Sequence, residues 1–230
     1  MIKAKGVSLR YPDGTLALKG IDLEIGTGEL VYITGPSGSG KTSLLKLLMG
    51  IEYPTSGSLK VMGQSIAKGQ EGNIRRLRKR IGPVFQEFRL IQGRTALENV
   101  MMGMRFLGIP CRQAKENAKS ALTRLGLEHK ALSMVENLSW GEAQRVAIAR
   151  AVARKPRLIM ADEPTGNLDH DNALIILDLL TSFRDTNTTV IITTHATHLI
   201  ERQENATFIR MNGGNISVER RGKAYEEYLV

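Results

Sequence analysis

The chain has 230 residues and 42% apolar content, long enough to bury a substantial core in one large domain or two small ones without disulfide support. Cys111 is its single cysteine, which excludes an internal disulfide and points to a reducing compartment, and no run approaches the ~18 apolar residues of a membrane-spanning helix. A net charge of +9 and a pI near 9.8 favour anionic partners, among them nucleotides, nucleic acid or an acidic lipid surface, without choosing between them.

Met1-Ile2-Lys3-Ala4-Lys5 is charged at once and leads into no apolar signal core, so a cytoplasmic chain is expected. Ile2 to Leu9 reads as a strand. Ile21, Leu23 and Ile25 alternate with Asp22 and Glu24, the period of two of a half-buried strand, and Gly26-Thr27-Gly28 turns the chain onward. With Leu59 to Met62, these segments predict a small antiparallel sheet on the amino-terminal side.

Between them lies the stretch that carries most of the chemistry. Leu30-Val31-Tyr32-Ile33 is a short apolar strand, Gly35-Pro36-Ser37-Gly38-Ser39-Gly40-Lys41-Thr42 a loop, and Ser43-Leu44-Leu45-Lys46-Leu47-Leu48 a helical pattern. At average residue usage a chain of this length meets GxxxxGK[ST] by accident roughly 1% of the time, so the flanks decide. A buried strand enters and a leucine-rich helix leaves, the context the motif requires. Gly35, Gly38 and Gly40 let the backbone turn tightly and aim its N–H groups inward, while the helix starting at Lys41 adds the positive end of its dipole. Lys41 supplies a cation for the outer phosphates, and the Thr42 hydroxyl is placed to ligate magnesium. The stretch predicts binding of a nucleoside triphosphate.

Asn73 to Ile81 places Ile74, Leu77 and Ile81 at helical spacing among Arg75, Arg76, Arg78, Lys79 and Arg80. Such a run reads as a solvated helix face or a phosphate or lipid-headgroup patch, and the absence of interleaved aromatics argues against a stacking platform for single strands. After Phe85-Gln86, Arg94 to Ala131 is expected to be mainly helical, with Ala114, Ala118, Leu122 and Leu125 as an apolar stripe that Gly126 ends. Met101, Met102 and Met104 fit a helical core or an adaptable groove for a partner helix.

Ser139, three residues ahead of Glu142, forms a capping box before the helical run Ala143 to Ala153 and could present N–H groups to an anion. Leu158-Ile159-Met160-Ala161-Asp162-Glu163 is an apolar strand ending in two carboxylates. In a phosphate-loop enzyme Asp162 would hold the metal and Glu163 would polarise the attacking water. Arg157 to Ala161 and Thr189 to Thr193, separated by the helix-like Ala173 to Phe183, predict parallel strands with a crossover helix. Asn212-Gly213-Gly214 between Phe208 to Met211 and Asn215 to Val218 predicts a hairpin, after which a polar tail carries Tyr225 and Tyr228 as possible docking points.

Over Ile2 to Val218 these separated motifs resemble the nucleotide-binding domain of the ATP-binding cassette (ABC) family. The resemblance implies a P-loop NTPase core of α/β class with an antiparallel β subdomain and a helical subdomain near residues 88–153, all within residues 1–220, and a tail at 221–230. It implies that Gly35 to Thr42 is the Walker A loop, which with Ser43 and the adenine-stacking Tyr11 binds ATP. It makes Lys41, Gln86, Glu163 and His195 catalytic, and Thr42, Gln86 and Asp162 the contacts to Mg2+. Ser139, Trp140, Gly141 and Glu142 become the signature, acting on the ATP of a second subunit in a head-to-tail homodimer, with Asn167-Leu168-Asp169 as the D-loop at the dimer interface.

Ala161 to Asp169 looks like the branch whose partners work by mechanical signalling or extrusion, and Arg78 to Leu90 is most similar to its cell-division members. An integral membrane partner, FtsX-like or a transporter permease, is implied at the inner face of the cell membrane, with no specific nucleic acid. A lipoprotein-release or small-molecule export ATPase and a low-turnover nucleotide-binding scaffold are the alternatives. Two departures stand in the signature: Trp140 where the family has its first glycine, and Ala143 where it often has glutamine. If that position needs a positive φ, a tryptophan there is strained. Pro83 fits a strand at its first residue or on a sheet edge.

Overall fold

The computed structural model describes residues 1–166 and 168–222; Asn167, Tyr225 and Tyr228 lie outside the described residues. Strands β1 (Ile2–Arg10), β2 (Leu16–Ile25), β4 (Ser56–Val61) and β5 (Gln64–Ser65) form an antiparallel sheet in the order β2-β1-β4-β5. Strands β3 (Leu30–Thr34), β6 (Ile81–Val84), β7 (Leu158–Asp162), β8 (Thr189–Thr194), β9 (Ala206–Asn212) and β10 (Asn215–Arg221) form a second sheet. Its order is β10-β9-β3-β8-β7-β6, parallel throughout except for the β9–β10 hairpin. The hairpin turns on Gly213 and Gly214, with φ of +51° and +85°, the two-residue geometry that matches strand twist.

Strands β3, β7 and β8 are buried on both faces, as uninterrupted apolar runs require. Alternation along them divides the core in two. Val31, Ile33, Leu158, Met160 and Ile191 join the antiparallel sheet and Leu44, Leu45, Leu47 and Leu48 of helix α1 (Lys41–Leu48). Tyr32, Ile159, Ala161, Val190 and Ile192 face the other way. They meet α3 (Ala96–Arg105), α4 (Cys111–Arg124), α5 (Trp140–Val152) and α6 (His170–Thr181).

One expectation needs correcting. Helix α2 (Glu71–Arg78) ends before Ile81, which instead opens β6 and pairs with Leu158. Ile74 and Leu77 are buried, and the Arg78 side chain turns back to donate to the carbonyls of Met49 and Gly50 at the end of α1. Strand β6 lies at the sheet edge, where the missing N–H of Pro83 is tolerated. The span Arg94 to Ala131 is mainly helical, as expected, divided between α3 and α4 at Gly108, with φ +75°, and Pro110, and followed by a short turn, Glu128–Lys130. Of the methionines, Met104 is fully buried in the core and Met101 packs against the same cluster, while Met102 is half-buried. No helix among the described residues is long and apolar enough to cross a membrane.

Candidate active site

Strand β3, at the centre of the parallel sheet, delivers the loop 35–40 straight into α1. Gly35 has φ +148°, and a Cβ there would lie 2.3 Å from the Met211 carbonyl oxygen. Gly40 caps α1 at φ +105°, with a Cβ position 2.6 Å from the Ala17 carbonyl oxygen. Both positions exclude any side chain. The hairpin tip braces the loop from outside: Gly214 N–H donates to Ser39 O at 3.2 Å, and Lys19 N–H donates to Gly214 O at 2.9 Å.

Lys41 is buried, and its Nζ donates to Gly35 O at 2.9 Å and Pro36 O at 3.2 Å while meeting Glu163 Oε1 at 3.2 Å. Strand β7 ends beside it. Thr42 Oγ1 donates to Asp162 Oδ2 at 3.1 Å, and Thr193 Oγ1 donates to Asp162 Oδ1 at 2.7 Å. Glu163 stands at φ +46°, a backbone that residues other than glycine rarely adopt, and its N–H is held by Thr193 Oγ1 at 2.9 Å. From that turn its Oε2 reaches His195 Nδ1 at 2.7 Å.

Lys41, Thr42, Glu163 and His195 face a cavity of about 760 Å³. Tyr11, Ser37, Gly38, Gly40, Lys41, Thr42, Ser43, Gln86, Glu163 and His195 line it, together with Leu16, Ala17, Lys19, Gly213 and Gly214. The Tyr11 hydroxyl lies 3.1 Å from Ser43 Oγ, which holds the ring at the mouth. A helix amino terminus, a lysine and a glycine-rich loop suit a chain of phosphates, while Glu163 in the cavity wall suits a water and Asp162, bonded to Thr42 behind it, suits a metal. Residues 18–166 match the ABC transporter family model. The chain belongs to the ABC transporter family.

As an ABC ATPase it binds and hydrolyses ATP. It is 35% identical to the cell division ATP-binding protein FtsE of Streptococcus pneumoniae, over 97% of each chain. It is 39% identical to the FtsE of Haemophilus influenzae over 93% of this chain and 98% of that one. Its fold matches the dimeric post-hydrolysis structure of the ATP-binding cassette MJ0796, bound to ADP and Pi, with a TM-score of 0.85 at 34% identity, covering 97% of this chain and 100% of that one.

Other residues singled out in the sequence lie outside this cavity in the ABC ATPase monomer. Gly35 and Pro36 back the loop and Ser39 is buried within it, while Asp162 stands behind Thr42. Ser139, Trp140, Gly141 and Glu142 form the amino terminus of α5, and Asp169 caps α6 by accepting from Asn172 N–H at 2.9 Å. The Ser139 and Glu142 capping box is closed in both directions, and the Ser139 N–H holds the Glu142 carboxyl below the ordinary carboxylate range. The Asn172 N–H does the same for Asp169. Trp140 is the first residue of α5, in helical backbone, so the strain expected of it is absent. Its indole instead packs edge-on against Phe88, ring centroids 4.4 Å apart.

Three contributions to the ABC ATPase site carried no local signal. Thr193 touches both carboxylate residues, the hairpin tip closes one wall, and the buried Gln144 donates through Nε2 to Pro164 O, tying α5 to the acidic turn. Each depends on chain crossings that the sequence alone does not order.

Proposed function

We propose that this ABC ATPase is the ATP-hydrolysing subunit of a membrane complex of the cell-division kind, stationed on the inner face of the membrane by an FtsX-like partner. The relatives named FtsE support the partner class. The observation that carries the hydrolytic mechanism is Glu163, whose carboxylate stands between Lys41 and His195 at the floor of the cavity, 3.2 Å from the first and 2.7 Å from the second.

The loop N–H groups and α1 receive the phosphates, and Lys41 exchanges its contacts with the loop carbonyls and Glu163 for the outer phosphate. That exchange frees Glu163 Oε1 to accept the proton of the attacking water while His195 keeps Oε2 in place. Tyr11 packs against the base. Thr42 and Asp162 offer oxygens 3.1 Å apart beside the cavity, and this hard donor set fits Mg2+, with Gln86 completing the contacts. When bound, Mg2+ would neutralise charge on the phosphate oxygens.

The exposed Ser139 end of α5 lies outside the cavity of its own chain, so its N–H groups serve the ATP of a second copy in a head-to-tail dimer that closes on ATP and reopens on hydrolysis. A membrane partner converts that cycle into movement or signal. Glu163→Gln tests the reading: ATP binding should persist, measured by equilibrium binding, while phosphate release falls to a small fraction of the parental rate. Parental hydrolysis in a preparation free of contaminating ATPase would refute the role of Glu163. Purification of the complex from membranes, with identification of the bound protein, tests the partner.

A further inference from the structure

We propose that Thr193 is a positioning residue that orders both carboxylate residues for ATP hydrolysis, an inference that rests on the roles proposed above for Asp162 and Glu163. Thr193 is fully buried and stands next to last in β8, in direct parallel register with Asp162. A threonine hydroxyl has one proton to donate and two lone pairs, and here its proton goes to Asp162 Oδ1 at 2.7 Å while a lone pair receives the Glu163 N–H at 2.9 Å. One atom therefore ties the last strand residue to the first residue of the turn.

Two consequences follow from that single oxygen. With Oδ1 fixed, Asp162 presents Oδ2 to the Thr42 hydroxyl, 3.1 Å away, where the metal contact is proposed. With its N–H satisfied, Glu163 is held at φ +46°, the left-handed turn from which its carboxylate reaches Lys41 and His195. A β-branched side chain has few rotamers, so the hydroxyl stays where both partners need it. Valine in its place would leave the part-buried Glu163 N–H without this partner and the Asp162 carboxylate held by the Thr42 hydroxyl alone.

Thr193→Val keeps the shape of the side chain and removes the hydroxyl; Thr193→Ser keeps the hydroxyl and removes the methyl. For valine, kcat should fall about tenfold to a hundredfold, the range for a hydrogen bond to a charged group. The gain in ATP affinity on adding Mg2+, measured by equilibrium binding, should shrink, while affinity in EDTA stays parental because the loop and Lys41 are untouched. Serine should restore both readouts. Thr193→Ala against Thr193→Ser, a pair that differs by the hydroxyl alone, makes the same comparison if the valine variant does not fold. Parental kcat and parental Mg2+ response without the hydroxyl would overturn the proposal, as would a serine variant as impaired as valine. Glu163→Gln, assayed beside them, separates the two levels: an active Glu163→Gln refutes the base, whereas an inactive one with a parental Thr193→Val refutes only the positioning.

Discussion

His195 Nδ1 lies 2.7 Å from Glu163 Oε2, and the His195 backbone N–H points at the same oxygen from 3.2 Å. The carboxylate is 11% exposed and the imidazole 62%, so the histidine forms the solvent-side wall of an otherwise enclosed group. Lys41 meets the other oxygen, so both oxygens of the carboxylate have a partner. On the mechanism proposed above, nucleotide binding draws Lys41 away from it.

His195→Ala should therefore leave ATP affinity near the parental value and lower kcat about tenfold to a hundredfold, since the imidazole contact that aims Glu163 is lost and only the backbone N–H remains on Oε2. Steady-state phosphate release with separate nucleotide-binding measurements checks the split. A rise in KM at constant kcat would assign His195 to binding instead.

The Lys41 to Glu163 pair is buried on both sides, at 8% and 11% side-chain exposure, so removing one partner leaves the other to bear the desolvation. Lys41→Ala should abolish tight ATP binding and also destabilise the nucleotide-free protein by about 1–3 kcal/mol. Lys41→Ala with Glu163→Ala should lose less than the sum of the single variants, and denaturant unfolding of all four proteins closes that cycle. Additivity would mean that the two charges do not sense one another.

Gly40 and Gly38 should respond differently to alanine. At Gly40 the new Cβ would meet the Ala17 carbonyl oxygen at 2.6 Å as well as an unfavourable φ of +105°, so Gly40→Ala should lose more than about 2 kcal/mol. At Gly38, with φ +76° and no atom within 4 Å, the loss should be about 1 kcal/mol, and the variant should fold with impaired nucleotide binding. Thermal unfolding in the absence of nucleotide ranks the two.

The difference between what was legible and what was not is one of range. The phosphate loop could be read because its glycines, lysine and hydroxyl are consecutive and its flanks are its own strand and helix. Ser139 with Glu142 was legible for the same reason, a local cap closed within four residues. Ile81 misled because its spacing from Ile74 and Leu77 is helical, yet it is claimed by pairing with Leu158 in a distant strand. Thr193 reads as one more β-branched strand residue, and nothing near it says that Asp162, 31 residues earlier, will be its neighbour. Trp140 misled in the opposite direction: the strain expected of it presumed a backbone that the helix amino terminus does not require.

Trp140 supplies the last test. It is the chain's one tryptophan, it is 38% exposed, and its indole lies against Phe88, two residues beyond Gln86 in the cavity wall. The same indole therefore borders the proposed trans surface on one side and the segment leaving the γ-phosphate site on the other. With Glu163→Gln to hold ATP unhydrolysed, MgATP should shift or quench tryptophan emission in step with dimer formation, because closure removes this end of α5 from water. ADP should do much less. Red-edge excitation suppresses the five tyrosines, so the signal reports one site. A dimer seen by light scattering with constant emission would place the indole away from the interface. Trp140→Gly gives the complementary reading, at a helix-propensity cost of at most about 1 kcal/mol. A faster ATPase would show that the Phe88 contact restrains closure; a slower one would show that the indole itself forms part of the contact between subunits.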